Sequence, residues 1–222
     1  MKHITQRISL IVFCTVFAGC TTKPAIERQV TVETKTLVMA DSTTVSYELG
    51  MIEVPHNRNT ASDTTWAVEF VRLSRAPEAM AGTPPIFILR GGPGTEPASQ
   101  LLEDPSYYTY FYAPLTKIAD VIIPGQRGFQ TSGNTSCDPM PEMPLADHLN
   151  SGKREAALQA SLAACRQKLE AAGVNLQGLN VEEMAADVND IASSLGYRSI
   201  QLIGQSFGTH WGLSIIRQYP DL

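Results

Sequence analysis

The sequence predicts an α/β fold with a mostly parallel sheet, antiparallel strands at its N-terminal side and helices on both faces. Residues 30–73 alternate apolar and polar side chains, as half-buried antiparallel strands do. Continuous apolar runs follow at 85–89 and 118–123, which is typical of strands buried in a parallel sheet. Helical patterns at 153–172 and 182–195 alternate with these strands, and this order favours α/β architecture.

Composition excludes some classes of protein. The chain has 222 residues, enough for one domain with a sizeable core, and 43% of them are hydrophobic and 18% charged. A net charge of -5 argues against nucleic-acid binding as the main task.

The first twenty residues have the plan of an export signal. Lys2 and Arg7 precede an apolar run over 8–18, which is too short to span a bilayer comfortably. The run ends in Ala18-Gly19-Cys20, which resembles the bacterial lipobox, where the cysteine is lipidated. Thr21 rather than Asp then implies transfer to the outer membrane in a Gram-negative host. An ordinary secretory signal cut nearby is the alternative.

Domain organisation follows from this signal. We expect a lipoprotein signal peptide over 1–20, a short tether over 21–29 and a single domain over 30–222. The mature protein would be anchored by lipid to the bacterial cell envelope.

The domain opens with three predicted strands, at 30–39, 45–52 (ending at Pro55) and 66–73, forming an antiparallel meander at a sheet edge. Polar residues at 57–65 predict a hairpin loop between the second and third strands. The stretch 76–85, rich in proline, predicts another loop.

A glycine turn follows the first buried strand, with the sequence Arg90-Gly91-Gly92-Pro93-Gly94. Such a turn lets backbone N–H groups approach a ligand closely. It lacks the Gly-Lys-Ser/Thr of a phosphate loop, and Pro93 breaks the spacing of a dinucleotide-binding turn. The aromatic-rich segment at 107–112 then either lines a substrate pocket or packs a helix onto the sheet.

The stretch 199–209 is the most informative part of the chain. A β-rich run leads into Gly204-Gln205-Ser206-Phe207-Gly208, and a helical pattern follows it. Strand, sharp turn and helix are the context in which G-x-S-x-G forms a nucleophile elbow. Ser206 is the predicted nucleophile. Gly204 and Gly208 are expected where strand and helix approach too closely for a Cβ. A chance match is the alternative, and the flanking strand and helix make it less favourable.

Three motifs, each after a buried strand, carry a resemblance to a known family: G-G-P-G, then Gln126-Arg127-Gly128 with Ser132, then G-x-S-x-G. Together they resemble the proline iminopeptidase and tripeptidyl-aminopeptidase-like branch of the α/β-hydrolases. The resemblance implies an acyl-serine mechanism without cofactor or metal, with the amides of Phe207 and Gly92 as the oxyanion hole. Two positions depart from the family: Arg90 replaces His and Gly125 replaces Asp.

Four cysteines divide into three groups. Cys14 leaves with the signal peptide and Cys20 is the predicted lipidation site. Cys137 and Cys165 remain, and in an exported protein such a pair predicts a disulfide. Two buried thiols are the alternative.

The acid and histidine of a catalytic triad are not evident in the sequence. In this fold they follow the serine along the chain, and His210 lies too close to Ser206 on the same helix to reach back over it. We therefore expect the N-terminal half of a hydrolase, truncated after the elbow helix and inactive alone, with the acid and the histidine beyond residue 222. The expected activity is an aminopeptidase. The alternatives are an esterase of the same fold and a non-catalytic lipoprotein that binds a ligand.

Overall fold

The structure is a computed structural model that describes residues 28–60, 64–94, 96–97, 101, 103–133, 135–137 and 142–222. The predicted signal peptide, with Cys20, and most of the predicted tether lie outside these residues. The last two tether residues contact the domain. Arg28 Nε lies 3.0 Å from an Asp190 carboxylate oxygen, and the Gln29 carbonyl accepts a 3.2 Å hydrogen bond from the Glu53 amide.

Six strands of the described chain form one sheet. They are β1 (Val30–Val38), β2 (Thr44–Pro55), β3 (Thr65–Leu73), β4 (Ile86–Leu89), β5 (Val121–Pro124) and β6 (Gln201–Gly204). Their order across the sheet is β1-β2-β3-β5-β4-β6, so the predicted meander forms one edge and β6 the other.

The balance of strand directions differs from the prediction of a mostly parallel sheet. Among the described residues, three ladders are antiparallel (β1–β2, β2–β3 and β3–β5) and two are parallel (β4–β5 and β4–β6). The sheet is therefore mixed. Hairpins join β1 to β2 and β2 to β3, so these strands pair antiparallel, and β5 also runs against β3. Crossover connections let β4 pair parallel with β5 and with β6.

Strands β5 and β4 lie side by side in the sheet, between β3 and β6, and every residue of both is buried. Their continuous apolar sequences follow from this double burial. The predicted run began at Ile118, but β5 begins at Val121. Ile118 is 50% exposed and its N–H donates to the Leu115 carbonyl, so it belongs to the turn before the strand.

α-Helices accompany the sheet, and those whose bounds are described are α1 (Ala113–Thr116), α2 (Leu145–Leu149), α3 (Ser151–Ala171), α4 (Val181–Ser194) and α5 (Phe207–Gln218). A π-helical turn, Tyr108–Tyr112, precedes α1. The side chain of Asn180 caps α4 by accepting the Glu183 amide at 2.8 Å, and Gly196, with φ +77°, follows its end.

Two apolar cores lie on opposite faces of the sheet. On one face, α4 and α5 bury Val188, Ile191 and Trp211 against Phe87 and Leu89. On the other face, the segment with the π-helical turn packs against the sheet through a second set of residues that includes Leu101, Tyr112, Val121 and Ile123. Helical segments thus cover both faces, as the fold class requires.

Helix α3 has no buried residue, although its sequence forms the longest helix of the described chain. High helix propensity and an N-cap at Asn150, which accepts the Lys153 amide at 3.1 Å, explain why it forms without a core-facing stripe. Within the described ranges, no helix is both long enough and apolar enough to cross a membrane.

Candidate active site

Ser206 occupies the turn between β6 and α5. Its backbone has φ 52° and ψ -121°, a conformation that residues with a side chain rarely adopt. Such strain persists only where the surrounding structure imposes it, and it is characteristic of functional turns. The side chain is exposed and does not cap α5, so the hydroxyl is not committed to holding the helix.

Two glycines allow this turn to be tight. A Cβ on Gly208 would overlap the carbonyl oxygen of Leu89 in β4, and a Cβ on Gly204 would lie 2.7 Å from the carbonyl oxygen of Gly208. Both contacts are with backbone, which cannot move aside cheaply. Glycine at these positions therefore brings β6, α5 and the end of β4 together around Ser206.

The amides predicted as oxyanion donors are uncommitted. Among the described residues, neither the Gly92 N–H nor the Phe207 N–H makes a hydrogen bond. Gly91, in the same turn, packs against the nucleophile. A Cβ on Gly91 would lie 3.1 Å from Ser206 Cβ and 3.5 Å from its Oγ. The turn after β4 therefore runs directly beside the serine.

Arg90, the first departure from the family pattern, is a buried cation beside this turn. Its Nη1 donates to the Tyr112 hydroxyl at 2.8 Å, and its guanidinium lies 4.9 Å from the centre of the Tyr107 ring. Burial raises the pKa of Tyr112, and the positive charge of Arg90 opposes that rise. Arg90 thus joins the turn to the aromatic segment.

The aromatic segment divides into two halves. Tyr112 is buried in the second core and Tyr107 packs partly against it, which agrees with the interpretation that these rings pack a helix onto the sheet. Tyr110 and Phe111 are 74% and 58% exposed. These two rings remain available for the alternative, a wall of a binding surface.

The second departure, Gly125, has a packing reason. Its N–H donates to the Glu69 carbonyl at 2.7 Å. A Cβ there would lie 2.7 Å from that same carbonyl oxygen and 2.8 Å from Ser132 Oγ, which accepts the Glu69 amide. Ser132 therefore joins the loop after β5 to β3. Position 125, which lies against both, has room only for glycine.

Arg127, in the same motif, bonds to helix α4 and to the end of β2. It is 2% exposed, and its Nε donates to an Asp187 carboxylate oxygen at 2.7 Å. Its Nη1 donates to the carbonyl oxygens of Pro55, His56 and Gly178. These bonds tie the loop after β5 to helix α4 and to the loop after β2.

A second arginine, Arg58, also contacts the acidic side chains of α4. Arg58 contacts Glu183, Asp187 and Asp190 along one side of α4. Burial disfavours its charge, but the carboxylates of Asp187 and Asp190 outweigh burial and raise its pKa. The carboxylates of Glu183, Asp187 and Asp190 are therefore structural partners of arginines, and Asp190 also contacts Arg28.

Histidines of the described residues do not complete a triad. None of them is hydrogen-bonded to the Ser206 hydroxyl. His210 lies on α5 with its ring 6.2 Å from that of Phe207, and His148 lies on α2. His56 is buried against Trp66, 4.4 Å between ring centres, and burial followed by the charge of Arg127 lowers its pKa.

The predicted cysteine pair is joined. Cys137 and Cys165 form a disulfide with their Cα atoms 5.8 Å apart. The bond attaches the otherwise exposed α3 to the loop after β5. Cys20, the predicted lipidation site, lies outside the described residues.

No protein-family model and no curated protein matches the chain. Solved structures that resemble it include a candidate acyltransferase from Salmonella enterica, at 16% identity and TM-score 0.40, over 77% of this chain. Cfl2 from Burkholderia cenocepacia has 12% identity and TM-score 0.41, over 78% of this chain. The serine hydrolase CCSP0084 from Cycloclasticus zankles has 12% identity and TM-score 0.39, over 86%.

The chain spans 38%, 38% and 42% of these three proteins, respectively. Likeness at this level carries no inference about activity. The α/β fold is established by the mixed sheet and its helices, and the functional argument depends on the geometry at Ser206.

Proposed function

We propose that the protein is an exported serine hydrolase of the α/β-hydrolase class, and that Ser206 forms an acyl intermediate with its substrate. The observation that carries the proposal is the turn itself. An exposed serine with φ 52° lies beside a glycine turn, and the N–H groups of Gly92 and Phe207 make no hydrogen bond in the described part of the chain. A turn with a purely structural role does not require unbonded backbone N–H groups beside a strained serine.

The chemistry follows from these groups. Ser206 Oγ attacks the substrate carbonyl while its proton passes to a base, and the two amides stabilise the negative oxygen of the tetrahedral intermediate. The start of α5 adds its positive helix end at the same point. Collapse expels the protonated leaving group, and water then releases the acyl group from the serine.

The proposal includes a base and an acid outside the described residues. A serine hydroxyl is a weak nucleophile at neutral pH without an adjacent base. Since no described histidine bonds to Ser206, we place the histidine and the acid in sequence that follows residue 222. The 222-residue chain alone is then inactive.

Among substrates, we favour peptides with a free N-terminus, which makes the protein an aminopeptidase. The three motifs that resemble the aminopeptidase-like branch support this choice. The same motifs serve ester hydrolysis equally well, so the substrate test must include both classes. We further propose that lipidation at Cys20 holds the enzyme on the cell envelope.

The test compares the 222-residue chain with the same chain extended by its downstream coding sequence. We expect the extended protein to hydrolyse an aminoacyl-naphthylamide or a nitrophenyl ester, and the shorter chain to show no turnover above background. Ser206→Ala in the extended protein should abolish turnover. Ser193→Ala, at an exposed serine near the end of α4, is the matched control and should not change it.

Two results would contradict the proposal. Turnover that survives Ser206→Ala would show that the nucleophile is elsewhere. An extended protein that folds, binds peptides and hydrolyses neither substrate class would favour the non-catalytic alternative. Hydrolysis of esters alone would replace the aminopeptidase assignment with an esterase and leave Ser206 in its role.

A further inference from the structure

We propose that Gln126 is a positioning residue that sets the shape of the oxyanion turn beside Ser206. The inference rests on the proposed function. It assigns to the middle of the second motif a task that the sequence did not reveal. Gln126 follows β5 and is 1% exposed, so its amide group is almost completely removed from water.

The side-chain amide of Gln126 holds both ends of the glycine turn. Its Nε2 donates to the carbonyl oxygens of Arg90, at 3.2 Å, and Gly91, at 3.0 Å. Its Oε1 accepts the N–H of Gly94 at 2.5 Å. Gly92 lies between these contacts, and its own N–H stays free in the described part of the chain. The turn is thus clamped at its two ends and open at its centre.

The pattern of donors and acceptors matches a primary amide. Two carbonyl oxygens require two N–H donors, and one backbone N–H requires an acceptor. A carboxylate would place an oxygen against two carbonyl oxygens, and an apolar side chain would remove all three of these hydrogen bonds. Among the side chains of this length, glutamine satisfies all three groups at once.

Gln126 is itself held in place. Gly125 before it is bonded to the Glu69 carbonyl in a space that admits no Cβ, and Arg127 after it is bonded to Asp187. Because the residues on both sides of Gln126 are bonded to the sheet and to α4, the Gln126 side chain can hold the turn in one position. Since oxyanion stabilisation requires donors that are already oriented before reaction, a small displacement of the turn should reduce the rate of acylation.

The experiment uses the extended, active protein and the variants Gln126→Glu and Gln126→Met. Removal of one oxyanion donor lowers kcat by about 100-fold to 1000-fold in serine hydrolases. We expect about 10-fold to 100-fold for a displaced donor, with KM changed by less than about 3-fold. Affinity for a peptide aldehyde, which forms a tetrahedral adduct with the serine, should fall by the same factor as kcat/KM. Affinity for a product peptide should not fall.

A pH readout separates positioning from general damage. In Gln126→Glu the introduced carboxyl can donate one hydrogen bond when it is protonated, so its kcat relative to wild type should recover in part at low pH. Gln126→Met, which has no titrating group, should show no recovery. Gln167→Glu, at an exposed position on α3, controls for added charge. Rates are expressed per active site by titration of the reactive serine. A variant that is only partly folded therefore still gives kcat for its folded fraction.

The outcomes distinguish this inference from the proposed function. If Ser206→Ala abolishes activity and both Gln126 variants keep wild-type kcat per active site, the positioning role is wrong and the hydrolase stands. If KM and product affinity change as much as kcat, Gln126 shapes substrate binding and the inference is also wrong. If Ser206→Ala retains activity, the proposed function itself fails.

Discussion

The buried pair between Arg127 and Asp187 gives the sharpest prediction of stability. Both side chains are almost fully buried, with exposed fractions of 1% and 2%. Asp187→Asn keeps the shape of the side chain and removes its charge. The change leaves the guanidinium of Arg127 buried without its main counter-ion and sets an amide group against its N–H donors.

The expected magnitude follows from the remaining contacts. Breaking a buried ion pair by removing one partner costs about 3–5 kcal/mol. Glu183 still lies 3.4 Å from Arg127, and Arg58 keeps Glu183 and Asp190. We therefore expect the lower end, about 3 kcal/mol. That is a large share of the roughly 5–15 kcal/mol by which domains are stable.

Urea unfolding followed by circular dichroism measures the free energy of unfolding. The matched control is Glu170→Gln, which removes a carboxylate from an exposed pair. Arg166 and Glu170 lie 2.8 Å apart on α3 with side chains 72% and 47% exposed. Its effect should stay within about 0.5 kcal/mol. If Asp187→Asn lowers the free energy of unfolding no more than this control does, the network does not stabilise the fold as we reason.

Two further predictions concern His56 and Cys20. Burial lowers the folded-state pKa of His56 below 6.5, so its neutral form stabilises the fold above about pH 6.5 and that contribution is lost as pH falls through the folded pKa. We expect the melting temperature to fall more between pH 7.5 and 5.5 in wild type than in His56→Gln. Cys20→Ala should move the protein from the membrane fraction to the soluble fraction, because the predicted lipid anchor is lost.

Each has a clear opposing result. An equal loss of melting temperature in wild type and His56→Gln would mean that folding does not lower the pKa of His56. Equal partition of wild type and Cys20→Ala between membrane and soluble fractions would refute lipidation.

Sequence patterns determined the strands and the main helices. The continuous run in β4 reflects burial on both faces of the strand. The alternation at 30–73 did not show that β1 buries only Leu37 or that β3 buries consecutive residues. The start of β5 was placed three residues early because Ile118, although apolar, is exposed in a turn. A local pattern cannot show which apolar residue reaches the core.

The site was predictable in part for a similar reason. Ser206, Gly204 and Gly208 belong to one short motif, which therefore contains the residues that the tight turn requires. The approach of Gly91 to Ser206 was not predictable, because it depends on β4 and β6 being neighbours in the sheet. Likewise, the sequence marked Gln126 and Arg127 as part of a motif without showing what either side chain touches.

By itself, the sequence determined the elements, the serine turn and the cysteine pair as a candidate disulfide, since each depends on local spacing or on residue type. Only the tertiary structure decided that the sheet is mixed, that Gly125 packs where a Cβ cannot fit, and that one glutamine clamps the turn beside the serine. These features join residues that are distant along the chain. Their partners are selected by strand order and helix packing, which no local pattern encodes.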